Sequence, residues 1–225
     1  MGKNPSDVAA LESMSLAKNY NNYIFNKLYK YIDEKNIIDF GAGYGIFADY
    51  LSKRDIEVLP IEVNKDAVEK LEEKNYKVFK NLNEVNRKTN TIVSLNVLEH
   101  IKDDNLVIKD FYKFLNSEGR LILYLPASMF VWTKLDELVN HYRRYSKKQI
   151  CKMLEKEGFI VQKSLYVDFI GWITLIFSKI LRLSLDFNPK KISFYDKYIF
   201  SYLKYFDIFT SKLIGKNVLV VAKKF

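Results

Sequence analysis

Apolar side chains recur at helical spacing from position 7 to 33, at Leu11, Met14, Leu16, Tyr20, Tyr23, Ile24, Leu28 and Ile32, which predicts a helical stretch ahead of the first strand. Short apolar runs then alternate with helix-periodic segments. The runs predict strands at 36–41, 57–63, 76–81, 90–97 and 119–126, with helices at about 44–53, 65–74 and 103–116 between them. Glu118-Gly119 reads as the close of the third of these helices, since glycine favours the position just past a helix end. Strand–helix alternation at this length predicts an α/β fold with a parallel sheet and right-handed crossovers. Ligands of such sheets bind beyond the carboxyl ends of the strands.

After Pro126 the pattern changes. Residues 127–145 read as loop, 146–157 as a helix capped by Ser146, and 160–167 and 216–224 as two further strands. About 50 residues separate these last two strands, far more than a hairpin loop holds. The chain therefore divides into an N-terminal helical cap (1–33), a core (34–167 and 216–225) and a helical insert (168–215). The insert is rich in aromatics. Phe169 to Leu185 is almost wholly apolar, and a second helix is expected at about 193–214 with Lys197, Lys204 and Lys212 on other faces. The uninterrupted apolar run, Phe169 to Ser178, is far short of the roughly 20 residues that span a bilayer. Three roles stay open for the pair: seating on an acidic membrane surface, a lid over the site, or a homodimer interface.

Composition narrows this only in part. With 225 residues and 48% hydrophobic content the chain can bury a real core. A formal net charge of +9 favours an anionic partner, or simply a lysine-rich solvated surface. The one cysteine, Cys151, excludes an internal disulfide and any multi-cysteine metal site, as expected of a cytoplasmic protein, and the polar start carries no secretory signal.

The chemistry concentrates in Ile37 to Gly45, I-I-D-F-G-A-G-Y-G: the end of a buried strand, three glycines at alternate positions, then a helix start. Glycine suits a tight turn and bare backbone against a ligand, and the helix start offers unpaired N–H groups. Glu62 ends the next strand. L-N-V-L-E-H-I (95–101) ends the fourth, and D-x-x-x-x-H-Y-R-R-Y runs from Asp136 to Tyr145. In this order the motifs resemble the class I S-adenosylmethionine-dependent methyltransferases, in the small-molecule branch that includes surface-glycan and lipid-pathway members. The resemblance spans residues 37 to about 160. It implies a Rossmann-like, doubly wound, mostly parallel sheet of seven strands with an antiparallel last strand.

It also implies a site. Gly41, Ala42, Gly43 and Gly45 would lie against the cofactor S-adenosylmethionine (product S-adenosylhomocysteine), with Asp39 toward the methionine ammonium. Glu62 would accept both ribose hydroxyls, because a carboxylate offers two oxygens. Val63 would lie on the adenine, Asn81 or Leu82 at its edge, and Asn96 and Val97 along the methionine side. Tyr20 and Tyr23 are candidates for the methionine end; the alternative is that both simply pack. His141 is the candidate base or acceptor hydrogen bond, since histidine is the usual base near neutral pH. Arg143 and Arg144 point apart: one for an acidic group of the acceptor, the other for Asp136 or Glu137. His100, Asp136 and Tyr145 are placed on the acceptor wall.

The resemblance implies O-methylation of a saccharide, phosphosugar or lipid-linked acceptor, worked on in the cytoplasm at the inner membrane face. The alternatives are a small soluble anionic metabolite, a nucleic acid, or a non-catalytic cofactor-binding protein. The basic residues are spread along the chain and no RNA-binding module is visible, so nucleic acid is not favoured. No metal-ligand spacing is visible, and a metal-dependent mechanism of the catechol type is not expected.

Overall fold

A computed structural model describes residues 5–32, 35–183 and 186–225. The ends of the predicted cap, residues 1–4 and 33, lie outside the described residues. The cap is two helices, α1 (Pro5–Leu16) and α2 (Lys18–Tyr29), and not one stretch. The core then alternates: β1 (Asn36–Phe40), α3 (Ile46–Ser52), β2 (Glu57–Ile61), α4 (Lys65–Glu73), β3 (Thr89–Leu95), α5 (Asp104–Phe114) and β4 (Leu115–Pro126). After it come α6 (Lys134–Leu138), α7 (Lys147–Lys156), β5 (Phe159–Val167), the insert, and β6 (Asn217–Lys224).

The sheet has six strands in the order β2-β1-β3-β4-β6-β5. Strands β2, β1, β3 and β4 pair in parallel, and β6 runs antiparallel between β4 and β5. The expected mostly parallel, doubly wound architecture holds, with one strand fewer. The predicted strand at 76–81 contributes a single parallel bridge, Ile61 to Phe79. Its two bonds run from the Phe79 N–H to the Pro60 carbonyl and from the Glu62 N–H to the Phe79 carbonyl, each 2.9 Å. The next bond in register needs an N–H from Pro60, which has none, so the ladder stops there.

A second correction concerns Glu118-Gly119. Helix α5 ends at Phe114 and β4 begins at once; the pair lies inside β4 with Glu118 at φ 66°, where the register against β3 shifts between Thr89 and Thr91. The two residues form a bulge, not a helix end.

Side-chain alternation on the central strands splits the core into two layers. One face carries Ile38, Ile92, Leu121 and Leu123 against α5 (Ile108, Phe111) and α7 (Ile150, Leu154). The other carries Ile37, Val93, Ile122 and Tyr124 against α2 (Ile24, Leu28) and α3 (Phe47, Leu51). Ser146 caps α7, its hydroxyl accepting from the Gln149 N–H at 3.1 Å.

The insert is helix α8 (Phe169–Ile180), helix α9 (Pro189–Phe194), a π-helical turn over Tyr195–Phe200 and short helical turns to Thr210. The single helix expected at 193–214 is thus broken into pieces. Three buried aspartates fasten the insert down. Asp196 accepts from the backbone N–H groups of Asn19 (2.9 Å) and Tyr20 (2.8 Å), capping α2 from a distant part of the chain. Asp207 accepts from the N–H groups of Asp168 and Phe169 and from the Tyr23 hydroxyl. Asp168 pairs with Lys216 at 2.9 Å and caps α8 through the Gly171 N–H at 2.7 Å. A carboxylate accepting several N–H bonds satisfies donors that burial would otherwise leave costly.

Candidate active site

Beyond the carboxyl end of β1 the chain turns through Gly41 and Gly45, at φ +78° and +72°, the left-handed region that favours glycine. A Cβ on Gly41 would lie 2.3 Å from Val97 Cγ2, so only glycine lets the turn from β3 close over the loop. Gly45 in this conformation starts α3. Glu62, just past β2, accepts from the Gly43 N–H at 2.7 Å and from the N–H groups of Val63 and Asn64 at 2.8 and 2.9 Å. The carboxylate expected to face a ribose therefore also ties the glycine loop to the end of β2. Its Oε2 accepts one bond and has a lone pair to spare; its Oε1 accepts two.

Asp39 lies beneath this loop, 1% exposed, and its Oδ2 has no hydrogen-bond partner among the described residues. Burial, and then the charge of Glu62, push its carboxyl up to about 7. A buried carboxyl oxygen without a donor is a place for a cationic or hydrogen-bonding ligand. Val63 next to Glu62 is 76% exposed, an apolar side chain presented to solvent at the mouth. Ala42 donates its N–H to the Ile61 carbonyl. Asn96 sits at φ 52° with its side-chain oxygen accepting from Asn217 at 3.1 Å.

Several predicted site residues have partners within the protein. The Leu82 side chain packs in the core, and Asn81 caps a short turn, its amide donating to Glu84. Tyr20 shares a 2.8 Å hydroxyl bond with Tyr124, and Tyr23 donates to Asp207 at 2.8 Å; both stack edge-on against Phe200. These tyrosines join the cap to the insert. From the N-terminal side it is Leu11 of α1 that approaches the loop, 3.0 Å from where a Gly43 Cβ would stand.

A second constellation forms around Asp136, which is buried at N3 of α6. Its carboxylate accepts from the Thr133 N–H (2.8 Å), from Arg144 Nε and Nη2 (2.8 and 3.0 Å) and from His141 Nδ1 (2.8 Å). Burial alone would raise its pKa; the bonds from His141 and Arg144 outweigh that and hold it down at about 2. Arg144 is therefore committed to Asp136, one of the two partners expected for an arginine of this pair. Arg143 pairs with Asp104 at 2.7 Å and donates to the Lys102 carbonyl, with a quarter of its side chain exposed. Tyr145 is wholly buried and donates to Asp104 at 2.7 Å, so it braces the segment and does not reach an acceptor.

What this bracing presents is His141, whose ring lies 4.5 Å from that of His100 and whose Nε2 lies 3.9 Å from Glu99 Oε1. Glu99 is 0% exposed and neither of its carboxyl oxygens has a hydrogen-bond partner among the described residues. Burial pushes it up to about 8. His100 has an open edge; desolvation of the rest, and then His141, keep its pKa down at about 4. Sequence reasoning passed over Glu99 as a site residue, and Asp104 as the anchor of the segment. The only signal was their position in and just after L-N-V-L-E-H-I.

A methyltransferase-domain family model matches residues 17–164, well over half of the chain. The chain belongs to the methyltransferase-domain family. The methyltransferase is similar in fold to an S-adenosylmethionine-dependent methyltransferase of Archaeoglobus fulgidus, at 17% identity and TM-score 0.60 over 90% of this chain and 94% of that one. A second such enzyme, from Mesorhizobium loti, matches at 12% identity and TM-score 0.56 over 88% and 96%. The magnesium protoporphyrin IX methyltransferase of Synechocystis, whose structure holds S-adenosylhomocysteine, matches at 14% identity and TM-score 0.59 over 95% and 86%. No curated protein sequence matches significantly.

As a member of this family the methyltransferase is an enzyme with S-adenosylmethionine as its cofactor. The residues present fit that group: a bare glycine turn beside Glu62, and an unpartnered buried carboxyl at Asp39 for an ammonium.

Proposed function

We propose that this methyltransferase methylates an oxygen of a saccharide, phosphosugar or lipid-linked acceptor while seated on an acidic membrane surface. One observation carries the reading. More than half of the large apolar side chains exposed among the described residues come from positions 177–213, including Phe177, Tyr202, Phe209 and Leu213, and exposed Lys190, Lys191, Lys197 and Lys212 are interleaved with them. Exposed apolar surface on this scale marks an interaction site. Aromatics with lysines suit the interface of an anionic bilayer. The insert is a fixed platform for it, because the three buried aspartates fasten it to the core. Among the described residues no helix is long and apolar enough to cross a membrane.

Bound S-adenosylmethionine supplies a sulfonium methyl whose departure needs no proton donor. Asp39, the Gly41–Gly45 turn, Glu62 and Val63 would hold the cofactor, with Asn96 and Val97 along its methionine side. Positioning then supplies much of the acceleration. The acceptor hydroxyl must lose a proton. The Asp136 carboxylate only accepts, so His141 Nδ1 carries the hydrogen and Nε2 keeps a lone pair toward His100 and Glu99, where that proton can be taken. Arg144, by gripping Asp136, fixes the tautomer.

Vesicle sedimentation tests the seating. The protein is expected to sediment with vesicles of phosphatidylcholine and phosphatidylglycerol and to release as salt is raised. Replacing Phe206, Phe209 and Leu213 by serine should abolish sedimentation without shifting the melting temperature. If the wild type ignores acidic vesicles at millimolar lipid, the acceptor is a soluble anion and the apolar crest serves another contact.

A further inference from the structure

The adjacent Glu99 and His100 and the distant His141 bring one ligating atom each to within 4.8 Å of one another. We propose that they form a binding site for a first-row divalent transition-metal cation, Zn²⁺ being the best fit, at the acceptor side of the cofactor cleft. Binding of the cation does not need the oxygen-acceptor reading, but it replaces the base that reading assigns to His141.

Three independent features support the site. The first is the donor set: two imidazole nitrogens and one carboxylate suit Zn²⁺, Mn²⁺ or Co²⁺, whereas Mg²⁺ and Ca²⁺ prefer oxygen alone. The second is the state of Glu99. Its carboxyl has no exposure and no hydrogen-bond partner at either oxygen, while almost every other buried carboxyl here is bonded to N–H or O–H groups or paired with a cation. A buried polar group normally finds a partner, and a bound cation is one. The third is the support of His141. A metal-binding histidine characteristically gives its other ring nitrogen to a carboxylate that is itself held. His141 Nδ1 bonds Asp136 at 2.8 Å, and Asp136 is gripped by Arg144 and by the Thr133 N–H.

The distances agree with this reading. Ligands about 2.1 Å from a tetrahedral Zn²⁺ lie roughly 3.4 Å apart. His141 Nε2 and Glu99 Oε1 are 3.9 Å apart and all three ligating atoms lie within 4.8 Å, so the ligands must draw in around a bound cation. Three protein ligands leave a coordination position open, the arrangement of a catalytic site and not of a structural one. The site also lies where an acceptor must be. Val97, two residues before Glu99, packs on Gly41 of the cofactor turn. A cation there would hold an acceptor oxygen and lower its pKa, so that the hydroxyl proton can pass to solvent without a histidine base. His141 Nε2 would then be a ligand in place of the base.

Calorimetric titration of chelator-treated, dialysed protein with Zn²⁺ alone tests the proposal, with the visible absorption of Co²⁺ as a second readout. One cation per chain is expected, with micromolar affinity or tighter. His100→Ala and His141→Ala should each weaken it by about tenfold or more, and Asp136→Asn by about 10- to 100-fold through loss of ring orientation. Cys151→Ser should leave it unchanged. His100 is exposed, so its variant keeps the fold whatever happens at buried Glu99. Affinity weaker than millimolar, or binding that survives the His100→Ala/His141→Ala double substitution, overturns the proposal and leaves the cluster as an unmetallated histidine base. S-adenosylhomocysteine binding by the same chelated protein reports on the cofactor site separately, so either can fail alone.

Discussion

At the scale of single residues, Asp39 is a buried carboxyl near the carboxyl end of β1 with an unpartnered oxygen among the described residues. Its folded pKa, about 7, lies above the unfolded value of about 3.9. Its contribution to stability is therefore fully present below about pH 4 and is lost as pH rises through about 7. Binding a ligand ammonium runs the other way, because it needs the charged carboxylate. S-adenosylhomocysteine affinity is accordingly expected to rise between about pH 6 and 8, by up to roughly tenfold per unit below the pKa. In Asp39→Asn the calorimetric affinity should be weaker and flat over the same range; an unaltered slope would place the titrating group elsewhere. The position of Asp39 is legible in its strand-end motif. Its missing partner is not, because that depends on what β2 and β3 bring around it.

Secondary-structure elements show the same division. Helix α2 begins at Lys18 because Asp196, 177 residues from Asn19, receives the first N–H groups of the helix. Asp196 and Phe200, four residues apart in the π-helical segment, are both buried. Asp196→Ala leaves two helix-end donors unpaired and should destabilise the protein by about 2 kcal/mol. Urea unfolding should show a lower midpoint at unchanged slope. Apolar periodicity reports helix-forming residues but not a cap supplied from so far along the chain, so the break at Ala17 was not visible in it. The failed strand at 76–81 differs. Pro60 stands in the sequence, but its consequence depends on which of its neighbours faces the free edge of β2, and that is set by the register with β1.

For the whole molecule, the residues proposed for the cleft come from the ends of β1, β2 and β3 and the segment after β4. A ligand that binds only this assembled state stabilises all of it. At one hundred times its dissociation constant, S-adenosylhomocysteine should add about 2.7 kcal/mol. For a chain of this length that is a rise of roughly 5–10 °C in melting temperature, readable by scanning calorimetry. Glu62→Ala, which unties the Gly43 loop and removes the carboxylate proposed for the ribose, should remove most of the rise.

The sequence by itself determined the α/β alternation, the glycine turn and Glu62, because periodicity and positive-φ demands are local properties of a few adjacent residues. It also showed that 168–215 is an apolar insert between the last two strands. Only the tertiary structure decided that Tyr20 and Tyr23 bind the insert, that Arg143 pairs with Asp104, and that His141 meets Glu99 and His100. Those pairings join positions distant in sequence. Which groups meet follows from the crossovers and the sheet order, and no local pattern records them.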